Sequence, residues 1–115
     1  MKRMLFVIIF CCVTISGCAS TSAQDKQDFA VAKANFAVKN YALSFNHLLP
    51  LAEKGDKNAQ YALGYLYYYG YGVDRNETLA MSWISKAAKQ GLVQAIEAKR
   101  QLQVSSDNPF YLPKK

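Results

Sequence analysis

The chain has 115 residues, room for one domain at most, and its 51% hydrophobic and 19% charged content excludes an intrinsically disordered protein. Its net charge of +6 comes from 14 Lys and Arg against 8 Asp and Glu. The cations of the body are scattered as Lys26, Lys33, Lys39, Lys54, Lys57, Lys86, Lys89, Lys99 and Arg100, so a solvated surface is expected and a nucleic-acid groove is not.

Residues 1–17 open with Lys2 and Arg3, continue as an uncharged apolar run from Met4 to Ile15, and end in small residues. The run falls short of the roughly 20 apolar residues that span a bilayer, and the pattern is that of an export signal. At its end Ile15-Ser16-Gly17-Cys18 resembles the bacterial lipobox, an aliphatic and two small residues before a cysteine. The resemblance implies cleavage between Gly17 and Cys18, acylation of Cys18 by chains such as palmitate, and attachment to a membrane through that lipid. One acyl chain binds only marginally, whereas two or three hold essentially for good. Ala19, where a non-aspartate resembles the signal for onward sorting, implies the bacterial outer membrane, with the domain in the periplasm. Cys11, Cys12 and Cys18 are all 3 of the cysteines, so the mature domain is expected to hold no disulfide and no thiolate metal site.

Residues 18–24, the cysteine and the polar "ASTSAQ", are expected to form a short tether. From Asp25 the apolar residues recur at helical spacing and predict five helices, over 25–38, 41–54, 57–69, 75–90 and 92–103, with no strand. Gly55 and Gly91 suit left-handed C-caps, and Asp56 suits an N-cap. Asp74-Arg75-Asn76-Glu77 has the form of a capping box, and Gly70 and Gly72 permit a bent loop. Pro50 predicts a kink or an early end to the second helix. The segment 104–115 cannot be helical through Pro109 and Pro113. Its Phe110-Tyr111-Leu112 either covers the last helix or docks in a groove elsewhere.

A shift of 36 residues places Leu43 on Leu79, Leu48 on Ile84, Ala52 on Ala88, Gly55 on Gly91, Ala59 on Ala95 and Leu66 on Leu102. Repeats of this period are helix-turn-helix units that stack into a solenoid. Ala59, Leu63-Gly64, Tyr67, Gly70-Tyr71-Gly72-Val73, Ala80, Trp83, Ala87-Ala88 and Gly91 resemble the pattern of the Sel-1-like repeat, a relative of the tetratricopeptide repeat. The resemblance implies an all-α domain over 25–103, a short right-handed α-α superhelix of about two repeats. Ser44 and His47 stand in the preceding repeat where the next has Ala80 and Trp83. Lys99 and Arg100 replace the Leu-Gly pair in the following one, as a terminal cap of a solenoid requires.

No catalytic, cofactor or metal-binding constellation is visible, and no enzymatic activity is expected. His47, the lone histidine, could be a base, but its alignment with Trp83 favours packing between helices. Six of the 8 tyrosines lie between Tyr61 and Val73. On a helical wheel Tyr67 shares the arc of Ala59, Leu63 and Leu66 and is assigned to the core. Tyr61, Tyr65, Tyr68 and Tyr69 oppose it and, with Tyr71, are assigned to an exposed inner face that binds another protein or peptide. For Tyr61 and Tyr69 sideways packing against the outer helices is an open alternative. The functional expectation is a lipid-anchored interaction scaffold. The rival is an envelope module that binds peptidoglycan or regulates an enzyme acting on it, although carboxamides and carboxylates of the kind a sugar site gathers are scarce around residues 61–73.

Overall fold

The computed structural model describes residues 18–107, which form five helices: α1 (Cys18–Ala37), α2 (Tyr41–Glu53), α3 (Lys57–Tyr69), α4 (Glu77–Lys89) and α5 (Val93–Asp107). Among the described residues there is no strand. Each helix packs chiefly on its neighbours in sequence, and the result is an all-α helical-repeat solenoid. The export signal, Gly17 and residues 108–115 lie outside the described residues.

The turns follow from a few backbone groups. Asp56 caps α3, its carboxylate accepting from the Ala59 N–H at 2.8 Å. At Gly55 and Gly91 the chain turns left-handed, and in each turn the next residue's N–H returns five positions to the helix just ended: Asp56 to Leu51 O at 3.1 Å, Leu92 to Ala87 O at 3.3 Å. The same motif ends α1, where Asn40 N–H reaches Asn35 O at 2.8 Å, but the left-handed residue there is Lys39, with φ 62. Nothing in the sequence marks Lys39 for that task. A side chain in this conformation costs about 1–2 kcal/mol.

Four local expectations differ from what the chain does. The tether residues 18–24 are helical and extend α1 toward the N-terminus, because no breaker separates them from Asp25. The cap of α4 is Asn76, not Asp74: its Oδ1 accepts from Leu79 N–H at 3.0 Å, while Glu77 is already the first helical residue and pairs with Arg75. Pro50 does not end α2. Three more residues follow it in the helix, and its carbonyl accepts from the Lys54 N–H at 3.1 Å. Finally α5 continues past 103 to Asp107, where the approach of Pro109 disfavours further helix.

The core is built at the spacing the sequence shows. Ala32, Leu48, Leu51, Ala52, Ala59, Leu63 and Leu66 form one buried cluster from α1, α2 and α3. Ile84, Ala87 and Ala95 form a smaller one from α4 and α5. Within each hairpin the helices meet at small residues. Ser44, fully buried, donates its hydroxyl to Ala32 O at 2.9 Å. On Gly64 a methyl group would stand 2.6 Å from Ile84 Cγ1 and 3.0 Å from Ala80 O, so α3 and α4 approach as closely as they do only over glycine.

Trp83 is half-buried rather than enclosed, packed against the larger cluster with Lys86 Nζ 4.1 Å from its ring centre. Its counterpart His47 is also half-buried, its Nδ1 3.7 Å from Asp28 Oδ1 between α2 and α1. Beside it Lys54 Nζ meets Asp25 Oδ1 at 2.6 Å.

Candidate functional site: the inner face of the solenoid

The odd-numbered helices α1, α3 and α5 share one face, and α3 divides it into two grooves. The first, of about 330 Å³, lies between α1 and α3 and is walled by Phe29, Phe36, Tyr61 and Tyr65 over a floor of Ala32, Leu48 and Ala62. Lys33 is the charged residue in that lining. The second, of about 230 Å³, lies between α3 and α5 and is formed by Tyr61, Tyr65, Tyr68 and Tyr69 against Ile84, Ala98, Gln101 and Leu102. Tyr61 and Tyr65 therefore form a ridge with a groove on either side.

The charges of α1 are sorted by face. Its carboxylates Asp25 and Asp28 turn to α2, where they meet Lys54 and His47. Lys33 turns to the groove, and among the described residues no carboxylate pairs with it.

The tyrosines do not stand apart as isolated contacts. Tyr41 stacks on Tyr71 with ring centres 4.6 Å apart, and Tyr71 stacks on Tyr69 at 5.4 Å. Tyr65 lies against Tyr69 at 4.6 Å and edge-on to Phe36 at 5.7 Å, and Tyr68 is edge-on to Tyr69 at 5.0 Å. The Arg75 guanidinium lies 5.7 Å from the Tyr68 ring centre. This continuous aromatic layer exists because Gly72, with φ 72, brings the loop after α3 against the start of α2: a methyl there would stand 2.5 Å from the Tyr41 carbonyl carbon. Burial, followed by the phenols of Tyr69, Tyr71, Tyr41 and Tyr61, raises the Tyr65 hydroxyl above the ordinary phenol value, so it stays a neutral O–H donor.

The inner-face assignment thus needs correcting in its detail. Tyr69, half of its surface open, is the exposed one. Tyr65 and Tyr68, expected as the most open, are half-buried in the layer, as are Tyr61 and Tyr71. Tyr67, expected in the core, is half-buried at its edge, its ring 5.6 Å from Phe45. The cause is the shortness of α3 and its loop: six phenols within eleven residues crowd one another before they reach solvent. Of the repeat positions, Ala59, Leu63, Gly64, Ala80 and Ala87 are buried, Ala88 is half-buried, and Gly70, Gly72 and Gly91 have positive φ.

Four participants carried no functional signal in the sequence. Phe29 and Phe36, seven residues apart on one face of α1, fall on its apolar spacing and form a groove wall. Tyr41 read as a helix start. Gln101 is brought to the tyrosines by the return of α5, and its amide donates to Glu97 Oε1 at 2.9 Å. The hydrogen bond from Arg100, then that from Gln101, holds the Glu97 carboxyl below its usual range.

The family model for the Sel1 repeat matches residues 57–92, which comprise α3, the glycine loop, α4 and the turn that follows. That stretch is Sel1-like, and its span equals the internal period. No curated protein and no solved structure matches the chain.

Proposed function

We propose that the chain is a lipid-anchored interaction scaffold whose α1/α3 groove receives an extended segment of another envelope protein. The observation that carries this reading is the groove itself: aromatic walls, an apolar floor and one cation, Lys33, that pairs with no carboxylate among the described residues. Peptide recognition uses such a surface, since rigid rings offer contact area at little entropic cost. The Sel1-like stretch supports it, because repeats of this kind serve typically as interaction modules rather than catalysts. The lipobox at Ile15–Cys18 supports attachment at Cys18 and, with Ala19, residence at the periplasmic side of the outer membrane. No helix among the described residues is long and apolar enough to cross a membrane.

The test compares the two faces of the solenoid in the native envelope. Ala62→Arg places a cation in the α1/α3 groove, and Leu79→Arg places one on the opposite face, where Leu79 is already 40% exposed. With unchanged helical circular dichroism, the groove variant is expected to lose its co-purifying proteins at least tenfold and the other to keep them. The reverse pattern, or retention by both, overturns the reading. Recovery by sedimented cell-wall sacculi instead would favour the peptidoglycan rival.

A further inference from the structure

The groove between α3 and α5 has a candidate occupant within the chain. We propose that the segment 108–115, "NPFYLPKK", turns back from the end of α5 and seats Phe110, Tyr111 and Leu112 in the α3/α5 groove. The inference goes beyond the partner reading and does not depend on it, since it concerns the other groove.

Three observations carry it. The first is reach. The groove's α5 edge is Ala98, Gln101 and Leu102, and α5 ends at Asp107, five residues beyond Leu102 or about 7.5 Å at helical rise. Residues 108–112, extended, span up to about 17 Å, enough to reverse and reach that edge. The second is chemistry. The floor of Ile84, Ala98 and Leu102 is apolar, and the tyrosines and Gln101 offer hydroxyls and a carboxamide to the backbone of a strand lying over it. Phe110-Tyr111-Leu112 supplies apolar side chains, and Pro109 and Pro113 restrict the free segment, which lowers the entropy lost on docking.

The third is charge. Lys114 and Lys115 close the segment, and the α1/α3 groove already carries Lys33, whereas the α3/α5 lining holds no cation. Glu97, which also pairs with Arg100, lies one turn from Gln101 along that edge. Joined to α5 by so few residues, the segment faces its groove at an effective concentration on the order of millimolar, so weak intrinsic affinity suffices. A docked segment reserves the α3/α5 groove and leaves the α1/α3 groove as the open half of the inner face.

The experiment replaces Tyr111 by p-benzoylphenylalanine in the full lipidated chain and maps photocrosslinks by mass spectrometry. Crosslinks within one molecule to Tyr65, Tyr69, Ala98, Gln101 or Leu102 are expected. Gln101→Arg, at an exposed position on the groove's edge, should reduce their yield about tenfold with circular dichroism unchanged. Crosslinks to the outer side of α5 at Ile96 or Lys99, to a second molecule, to the peptidoglycan or to no protein group overturn the proposal, as does an undiminished yield in Gln101→Arg.

Discussion

The two ends of the solenoid use equivalent positions, bury most of them alike, and part company in α5. Leu48 and Ile84 are 2% and 3% exposed, Ala59 and Ala95 are both fully buried, and even the open Leu43 and Leu79 agree at 41% and 40%. At these positions the repeats are thus the same unit in the same environment, and they begin to differ at Ala88, half-buried where Ala52 is enclosed. There Lys99 and Arg100 take the places of Leu63 and Gly64, and Ile96 and Val104 remain 49% and 57% exposed. At Gly64 a helix can lie against the backbone; at Arg100 it cannot. The larger buried cluster, from α1, α2 and α3, therefore holds seven apolar residues, and the smaller, from α4 and α5, three. A repeat array gains stability from its interfaces, so the end lacking a further neighbour is the weaker one.

Leu63→Ala, in the helix both halves share, should have the largest effect. Full burial in the thick cluster implies a loss of about 2–5 kcal/mol, measured by urea denaturation, and with so small a domain the variant is expected to unfold near room temperature. Gly64→Ala follows. Its methyl meets Ile84 and the Ala80 carbonyl, and overpacking of about 1–3 kcal/mol should exceed the gain of about 1 kcal/mol in helix propensity. Leu102→Ala removes a half-buried side chain from the thin end and should lose only about 1 kcal/mol; a loss equal to that of Leu63→Ala would refute the asymmetry.

Lys39→Gly should raise stability, by about 1 kcal/mol, because it relieves a left-handed side chain exposed at the turn into α2. A lower melting temperature would show that the Lys39 side chain contributes something the turn geometry does not reveal. The smallest effect concerns alkali. The Tyr65 hydroxyl is raised above 10.0 in the folded chain, so its contribution is intact below that pH and is lost as pH rises through the folded value. The melting temperature of the native chain should therefore fall more steeply above pH 10 than that of Tyr65→Phe, whose aromatic packing is kept.

Much of the fold was legible because its signals are local. Helical spacing, Asp56 as a cap and glycines at 55, 70, 72 and 91 each act within a few residues of themselves. The start of α4 was misread because Asp74 and Asn76 are both competent caps, and only the geometry of the glycine loop decides between them. Lys39 was invisible because a lysine in a left-handed turn is imposed by the packing of α1 on α2. The candidate site was legible as a cluster of phenols but not as a shape. Its walls include Phe29, Phe36 and Gln101, which arrive from helices distant in sequence, and its phenols shield one another in a way no helical wheel represents.

The two rims of the solenoid are fastened by different means. Where α2 and α4 end, Gln90 donates its amide to Gly55 O and to Gln60 Oε1, both at 2.9 Å, and buried Gln60 donates in turn to Ala52 O at 3.1 Å. Where α2 and α4 begin, the join is the stack of Tyr41, Tyr71 and Tyr69. Hydrogen bonds are directional and lose strength steeply when bent, whereas stacked rings tolerate sliding. The carboxamide rim is accordingly the spine of the molecule and the aromatic rim its pliant edge, so elastic deformation should splay the inner face from the tyrosine side, as a book opens away from its binding.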